Sequence, residues 1–387
     1  MKELKTLLIV IFFTLFLYWG IEPFAHSKLH PAVEPANYDF AAEDISLANS
    51  NLAKAKKALE DSQKALDKAS ADDKEKMEDL VKSNQKLLDE AQGSLDRYTA
   101  FWDEINAIDL TVGDVARGEE LMMTAGCTGC HGIEVAGLEA PMDSISSSQA
   151  YGVNPPDLST AGKIYDAKFL AAVIKNPVMA QKLDHVFGED KFHSMPEFYG
   201  VGGDINVELA DMVAYLKSIA MSDDDIVKAH VEKVAEAEGL NEADKEKFFA
   251  GLSAKDKAFI VNRQVFFDAC VRCHDMKYDE LYTDGDKTSV AAYLGSTPPD
   301  LSMYIRSRST EFLHNFINDT QKMLPATTMP RVGLTKEAET QVIEYMESIG
   351  DSTKDERQRV TIYIMIYFVI LAVFAGLWKN KVWRDLE

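Results

Sequence analysis

Cys127-Thr-Gly-Cys-His131 and Cys270-Val-Arg-Cys-His274 decide the reading of this 387-residue chain, and they contain all four of its cysteines. The C-x-x-C-H pattern is that of covalent attachment of a c-type haem. Its spacing has a chemical reason. Two thiols must reach two vinyl groups on one porphyrin edge to form thioethers, and the adjacent imidazole then meets the iron from one side. A redox Cys-x-x-Cys does not need the histidine and normally follows a strand. A shared zinc site would have to join pairs that lie 143 residues apart. The expectation is two covalently bound haem c groups, held by Cys127, Cys130 and His131 and by Cys270, Cys273 and His274.

Working outward from the motifs, the chain repeats itself. The 143-residue offset that superimposes them also lays Pro155-Pro-Asp-Leu-Ser159 on Pro298-Pro-Asp-Leu-Ser302, and Phe169-Leu170 on Phe312-Leu313. Further on, Met195-Pro196 matches Met329-Pro330 at an offset of 134, and Tyr215–Ile219 matches Tyr345–Ile349 at 130. Repeats this long are whole domains rather than solenoid units. Each copy reads as a helix into the cysteines, a loop, Pro-Pro-Asp-Leu, a second helix, a Met-Pro loop and a closing amphipathic helix. The motif helices are expected over 115–125 and 259–269, and the closing helices over 207–219 and 336–349. Few segments alternate as strands do, so the fold class is all-α.

A haem iron with histidine on one face needs a ligand on the other. In electron-transfer cytochromes a methionine thioether is usual, and it raises the reduction potential. Met195 and Met329 stand at equivalent places before a proline, so the expected metal ligands are His131, Met195, His274 and Met329. Met179, Met303 and Met323 are rivals, and His193 stands close enough to replace Met195. Of the 15 methionines, most are expected to be core filler. In c-type cytochromes a proline carbonyl at such a place accepts the free ring N–H of the axial histidine and fixes its tautomer, and Pro156 and Pro299 are expected to do the same here. Leu158 and Leu301 are expected to pack on the porphyrin. The bland alternative is that both Pro-Asp-Leu stretches are merely turns.

Residues 41–108 are rich in Ala, Lys, Glu, Asp and Leu. They read as two long helices broken near Ser70-Ala-Asp-Asp73, forming an antiparallel hairpin. The second helix carries an apolar stripe through Leu80, Leu87, Leu88, Ala91, Leu95, Tyr98 and Trp102. The polar faces call for no function beyond solvation. Residues 222–257 read as a charged helical linker.

Apolar runs close both ends. Thr6–Ile21 is 16 residues without charge after Lys2 and Lys5; Val360–Trp378 is 19 residues without charge before Lys379, Lys381 and Arg384. The second is long enough to span a bilayer, which takes about 20 residues. Basic residues on the outer side of each run put both termini in the cytoplasm and the middle of the chain outside. The first run also has features of a cleaved signal peptide, with Ala25 and Ser27 at weak A-x-A-like spacing; a retained anchor is the preferred reading. The net charge of −22 argues against nucleic acid and allows a basic partner protein.

The Cys-x-x-Cys-His, Pro-Pro-Asp-Leu-Ser and Met-Pro series, followed by a C-terminal membrane helix with a basic tail, resembles cytochrome c1, the haem subunit of the cytochrome bc1 complex (ubiquinol–cytochrome c reductase). The doubling resembles the di-haem subunit of some bacterial complexes. The resemblance covers about residues 110–387; the N-terminal anchor and hairpin depart from the usual plan. It implies two tandem class I cytochrome c-like domains, partnership with cytochrome b and Rieske iron–sulfur subunits, a dimeric complex, and a terminal oxidase or soluble cytochrome c as acceptor. It also implies an electron-transfer subunit in the inner membrane with periplasmic haem domains, rather than a catalyst on its own. The expected divisions are 1–40 anchor and connector, 41–109 hairpin, 110–221 first haem domain, 222–258 linker, 259–350 second haem domain, and 351–387 membrane helix and tail. Residues 110–221 hold 15 acidic and 7 basic side chains, net −8, and residues 259–350 hold 13 and 9, net −4. The more acidic first domain suits a basic acceptor, leaving the second as the entry point. Competing readings are a tethered carrier resembling cytochrome c4, an oxidase subunit, and a di-haem peroxidase. The last needs an open iron position, which a Met-Pro in each copy opposes.

Overall fold

The computed structural model describes residues 2–28 and 36–384. The expected connector falls partly outside the described residues, as do the last three positions of the tail. Among the described residues there are helices and no strands, with three isolated bridges: Ile133–Leu138, Met276–Leu281 and Tyr165–Leu334.

The repeat is visible in how helices begin. Short polar side chains cap orphan N–H groups at helix starts, and they do so at equivalent places in both copies. Asp143 caps Ser144–Tyr151 and Asp286 caps Lys287–Leu294. Asp166 caps Ala167–Lys175 and Ser309 caps Thr310–Asn318. Asp204 caps Ile205–Ile219 and Thr335 caps Lys336–Gly350.

The motif helices differ in length. The first runs Val115–Thr124, close to expectation. The second runs Ala254–Cys270, starting inside the stretch read as linker. The reason is a capping box: Ser253 accepts from the Asp256 N–H and Asp256 accepts back from the Ser253 N–H. The remaining linker forms Asp223–Glu238, which opens on a second capping box at Ser222, and Glu242–Gly251.

In the first copy the motif helix crosses the closing helix at Gly118. A Cβ there would stand 2.1 Å from the Asp211 carbonyl oxygen, so only glycine admits this approach. Arg117 ties the same crossing through Nε to Asp211 Oδ2 at 2.7 Å.

The hairpin consists of Phe40–Leu66 and Lys74–Asn106. Its base, through Phe40, Tyr98, Phe101, Trp102 and Ile105, enters the same core as Met122, Phe169, Leu209, Met212 and Leu216. Each large side chain buried there contributes about 1.5–3 kcal/mol. The stripe does not stay buried outward: Leu80 is 43 % and Leu87 50 % exposed. Among the described residues the hairpin joins the first core at its base, while Leu52 and Leu59 stay buried farther along the first arm. The expectation that its polar residues serve solvation alone fails at Asp44, which is 1 % exposed.

The second core gathers Val265, Phe266, Met276, Leu313, Val342 and Tyr345, and takes in Ile164 from the first copy. Backbone bonds also join the copies: Asp166 N–H donates to Gly333 O at 3.0 Å, Thr335 N–H to Ile164 O at 2.9 Å, and Arg331 N–H to Gln181 O at 3.0 Å.

At the ends, Leu4–Ala25 and Lys354–Arg384 are each long and apolar enough to cross a membrane, and neither is buried by the rest of the chain. The first contains a π-turn at Leu17–Ile21.

Candidate functional site

Both motifs fold as a single tight turn. The first helix ends with Gly126 in the left-handed region at φ +79°, and a 3-10 turn Cys127–Gly129 follows. His131 N–H donates to Cys127 O at 2.9 Å, and His274 N–H to Cys270 O at 2.9 Å. These bonds bring the thiol pair and the imidazole of each motif together.

Each imidazole is then fixed by the proline named from the sequence. His131 Nδ1 lies 2.8 Å from Pro156 O, and His274 Nδ1 lies 2.7 Å from Pro299 O. A carbonyl only accepts, so Nδ1 carries the hydrogen and Nε2 keeps its lone pair. Burial pushes both imidazoles below their ordinary basicity, against the opposing pull of the carbonyls. The result is a neutral, oriented imidazole.

The Pro-Pro-Asp-Leu-Ser stretches are more than turns. In the first copy Asp157 accepts from Ser159 N–H at 2.8 Å and Glu134 N–H at 3.0 Å. Ser159 Oγ accepts from Val135 N–H at 3.0 Å, and Leu158 N–H donates to Gly132 O at 2.9 Å. In the second copy Asp300 accepts from Ser302 N–H and Lys277 N–H, both at 3.2 Å. Ser302 Oγ accepts from Tyr278 N–H at 3.1 Å, and Leu301 N–H donates to Asp275 O at 2.9 Å. The same lacing thus holds the proline carbonyl against the histidine twice. Leu158 and Leu301 are half-buried, each against the core of its own copy.

All four thiols are unpaired. Burial pushes the Cys270 thiol up to about 12, and raises Cys127 and Cys273 as well. Neutral buried thiols are poor thiolate ligands and poor redox nucleophiles. Among the described residues no three His, Cys, Asp or Glu side chains gather as a metal site. The donor set fits a haem: two thiols outside any disulfide beside one imidazole whose Nδ1 is engaged by a carbonyl.

Met195 and Met329 are both half-buried, each in the loop of its own copy. Ser194, next to Met195, is held by Tyr293 from the second copy: its N–H and Oγ lie 2.9 and 2.7 Å from the Tyr293 hydroxyl. His193 Nδ1 lies 3.0 Å from Met195 O and 3.1 Å from Met195 N, so that nitrogen serves its own loop. Met329 N–H reaches Thr327 Oγ1 at 3.4 Å, and Arg331, two residues on, is buried. Of the rivals, Met179 packs at the edge of the first core and Met303 is 44 % exposed.

The family model for cytochrome c matches residues 115–220. No curated protein and no solved structure matches the chain. Residues 115–220 therefore form a cytochrome c domain, a haem-binding module whose haem c is covalently attached and whose work is electron transfer.

The residues missed from sequence are Asp157, Ser159, Asp300 and Ser302, with Tyr293, Asp44 and Arg331. The first four lie inside the matched repeats, so a signal for them was present. The last three are joined only by the tertiary fold.

Proposed function

We propose that the chain is a membrane-anchored di-haem c-type cytochrome, the cytochrome c1-type subunit of a bacterial bc1 complex. The observation that carries the two-haem reading is the duplicated lacing: histidine, proline carbonyl, aspartate and serine make matching hydrogen bonds around His131 and His274. Cys127 and Cys130 hold one haem and Cys270 and Cys273 the other. His131 with Met195 and His274 with Met329 are the axial pairs. When bound, each haem iron takes up and releases one electron. The chain's own work is to keep each Nε2 unprotonated and aimed, to exclude water with half-buried Leu158 and Leu301, and to hold the two sites in one body.

The C-terminal domain, continuous with helix Lys354–Arg384, receives electrons from a Rieske iron–sulfur partner beside cytochrome b. The N-terminal haem domain passes them to a terminal oxidase or soluble cytochrome c, its greater acidity favouring a basic acceptor. Both membrane helices keep the haem domains on the periplasmic face, in a dimeric complex. If blocking the Met195 haem abolished reduction by the Rieske protein and blocking the Met329 haem did not, the order would be reversed.

Gentle solubilisation, affinity capture and optical redox titration test the assignment. Two low-spin c-type haems with a co-purifying b-type cytochrome and Rieske protein are expected. Two c-type haems alone would move the protein to a tethered cytochrome c4-like carrier or an oxidase subunit.

A further inference from the structure

The helical hairpin has no part in the function above, yet its base carries a buried carboxylate into the boundary between the two copies. Asp44 Oδ2 accepts from Trp102 Nε1 at 2.8 Å, which fixes it to the second arm of the hairpin. It then meets two buried cations from different copies. Lys182 Nζ, from the first, lies 2.8 Å from Oδ1. Arg331, from the second, closes a two-armed pair, with Nη1 2.9 Å from Oδ2 and Nη2 against Oδ1. Both cations are almost without solvent contact. Asp319 stands farther off, 3.7 Å from Arg331 and 3.9 Å from Lys182. Arg331 donates its remaining Nε to Asn318 O at 2.8 Å.

From this arrangement, and resting on the reading of Met329 as an iron ligand, we infer that Asp44 is a positioning residue for the Met329 loop, so that the hairpin base selects the ligation of the second haem. Arg331 is the third residue of Met329-Pro-Arg331, and the proline between them has a fixed φ. Clamping Arg331 at its guanidinium, and at its backbone through Gln181 O, therefore restricts where Met329 can point. A planar guanidinium held in a fork is a directional anchor, unlike a lone ammonium. Removing the carboxylate would leave two buried cations short of a counter-charge, and such groups move toward water.

The two copies differ at this point. The position equivalent to Arg331 is Glu197, which is exposed and bonded to Asn176 Nδ2 at 2.7 Å and the Tyr199 hydroxyl at 2.9 Å. Asp44 therefore grips the Met329 loop through that loop's own arginine, and the equivalent position of the Met195 loop carries no such cation, which supplies an internal control.

The test uses full-length holoprotein in detergent, with two readouts: the far-red methionine-to-iron absorption of the ferric protein, and an optical redox titration. Met195→His and Met329→His first assign the two waves, each lowering its own. Asp44→Asn is expected to lose the methionine-to-iron band of the second haem and lower its wave, leaving the first haem's band and wave in place. Arg331→Lys, which keeps the cation and removes the fork, is expected to act on the same haem, and it carries the test if Asp44→Asn does not accumulate. Both haems unchanged in either folded variant, or both disturbed alike, would overturn the inference. If Met329→His itself moved neither wave, the ligand assignment would fail instead.

Discussion

His131 and His274 each engage Nδ1 with a proline carbonyl, and the reach of that contact depends on an aspartate one residue later. Asp157→Ala removes acceptors from two backbone N–H groups, and Asp300→Ala does the same in the second copy. Each variant is expected to lose about 1–3 kcal/mol of stability, read as a lowered urea midpoint, with both haems still attached. A different residue contributes to the pH response. Asp268 accepts from Thr160 Oγ1 at 2.6 Å and Gln264 Nε2 at 2.9 Å, but burial raises its carboxyl from 3.8 to about 6. A carboxyl whose folded pKa lies above its unfolded value favours the fold when protonated. Its contribution is complete below about pH 4 and lost as pH rises through about 6. Asp268→Asn is therefore expected to stabilise the protein at neutral pH by up to about 3 kcal/mol, and to match the parent at pH 4. Thermal midpoints across that range check the sign.

At the scale of elements, the hairpin behaves as two unequal halves. Trp102→Ala is expected to cost about 3–5 kcal/mol, because that ring is buried at the base and holds Asp44. Leu87→Ser, on the exposed outer half, is expected to change stability by less than about 0.5 kcal/mol. Chemical denaturation of the two variants side by side makes the comparison. The helical spacing of Leu80, Leu87, Leu88, Ala91, Leu95, Tyr98 and Trp102 was legible, but periodicity reports which face is apolar, not where along it a partner exists. The same limit applies to Asp44 and Arg331. Their contact spans 287 positions of sequence, and neither residue stands in a recognisable motif. By contrast, the early start of Ala254–Cys270 had a readable signal in Ser253-Ala-Lys-Asp256, a capping box inside a stretch taken as linker. The prolines beside the histidines were legible from the c-type cytochrome pattern and its repetition, whereas the aspartate and serine of the same words bond to backbone N–H groups of other segments, which their spacing does not announce.

For the whole molecule, the cytochrome c domain at 115–220 and the helical character were both legible, since the Cys-x-x-Cys-His spacing and the periodicity state them directly. How the copies meet was not. Tyr293 against Ser194 and Ile164 in the second core are packing choices that no local pattern encodes. The apolar helices at the two ends make a further expectation. Deleting either one alone should leave the protein in the membrane fraction, and deleting both should release it, as judged by alkaline extraction. The central claim is that one chain carries two haems. The most direct measurement is the mass of the intact purified polypeptide, with a Cys270→Ala/Cys273→Ala variant beside it. Two covalent haems on the parent and one on the variant are expected. One haem on both would contradict the account.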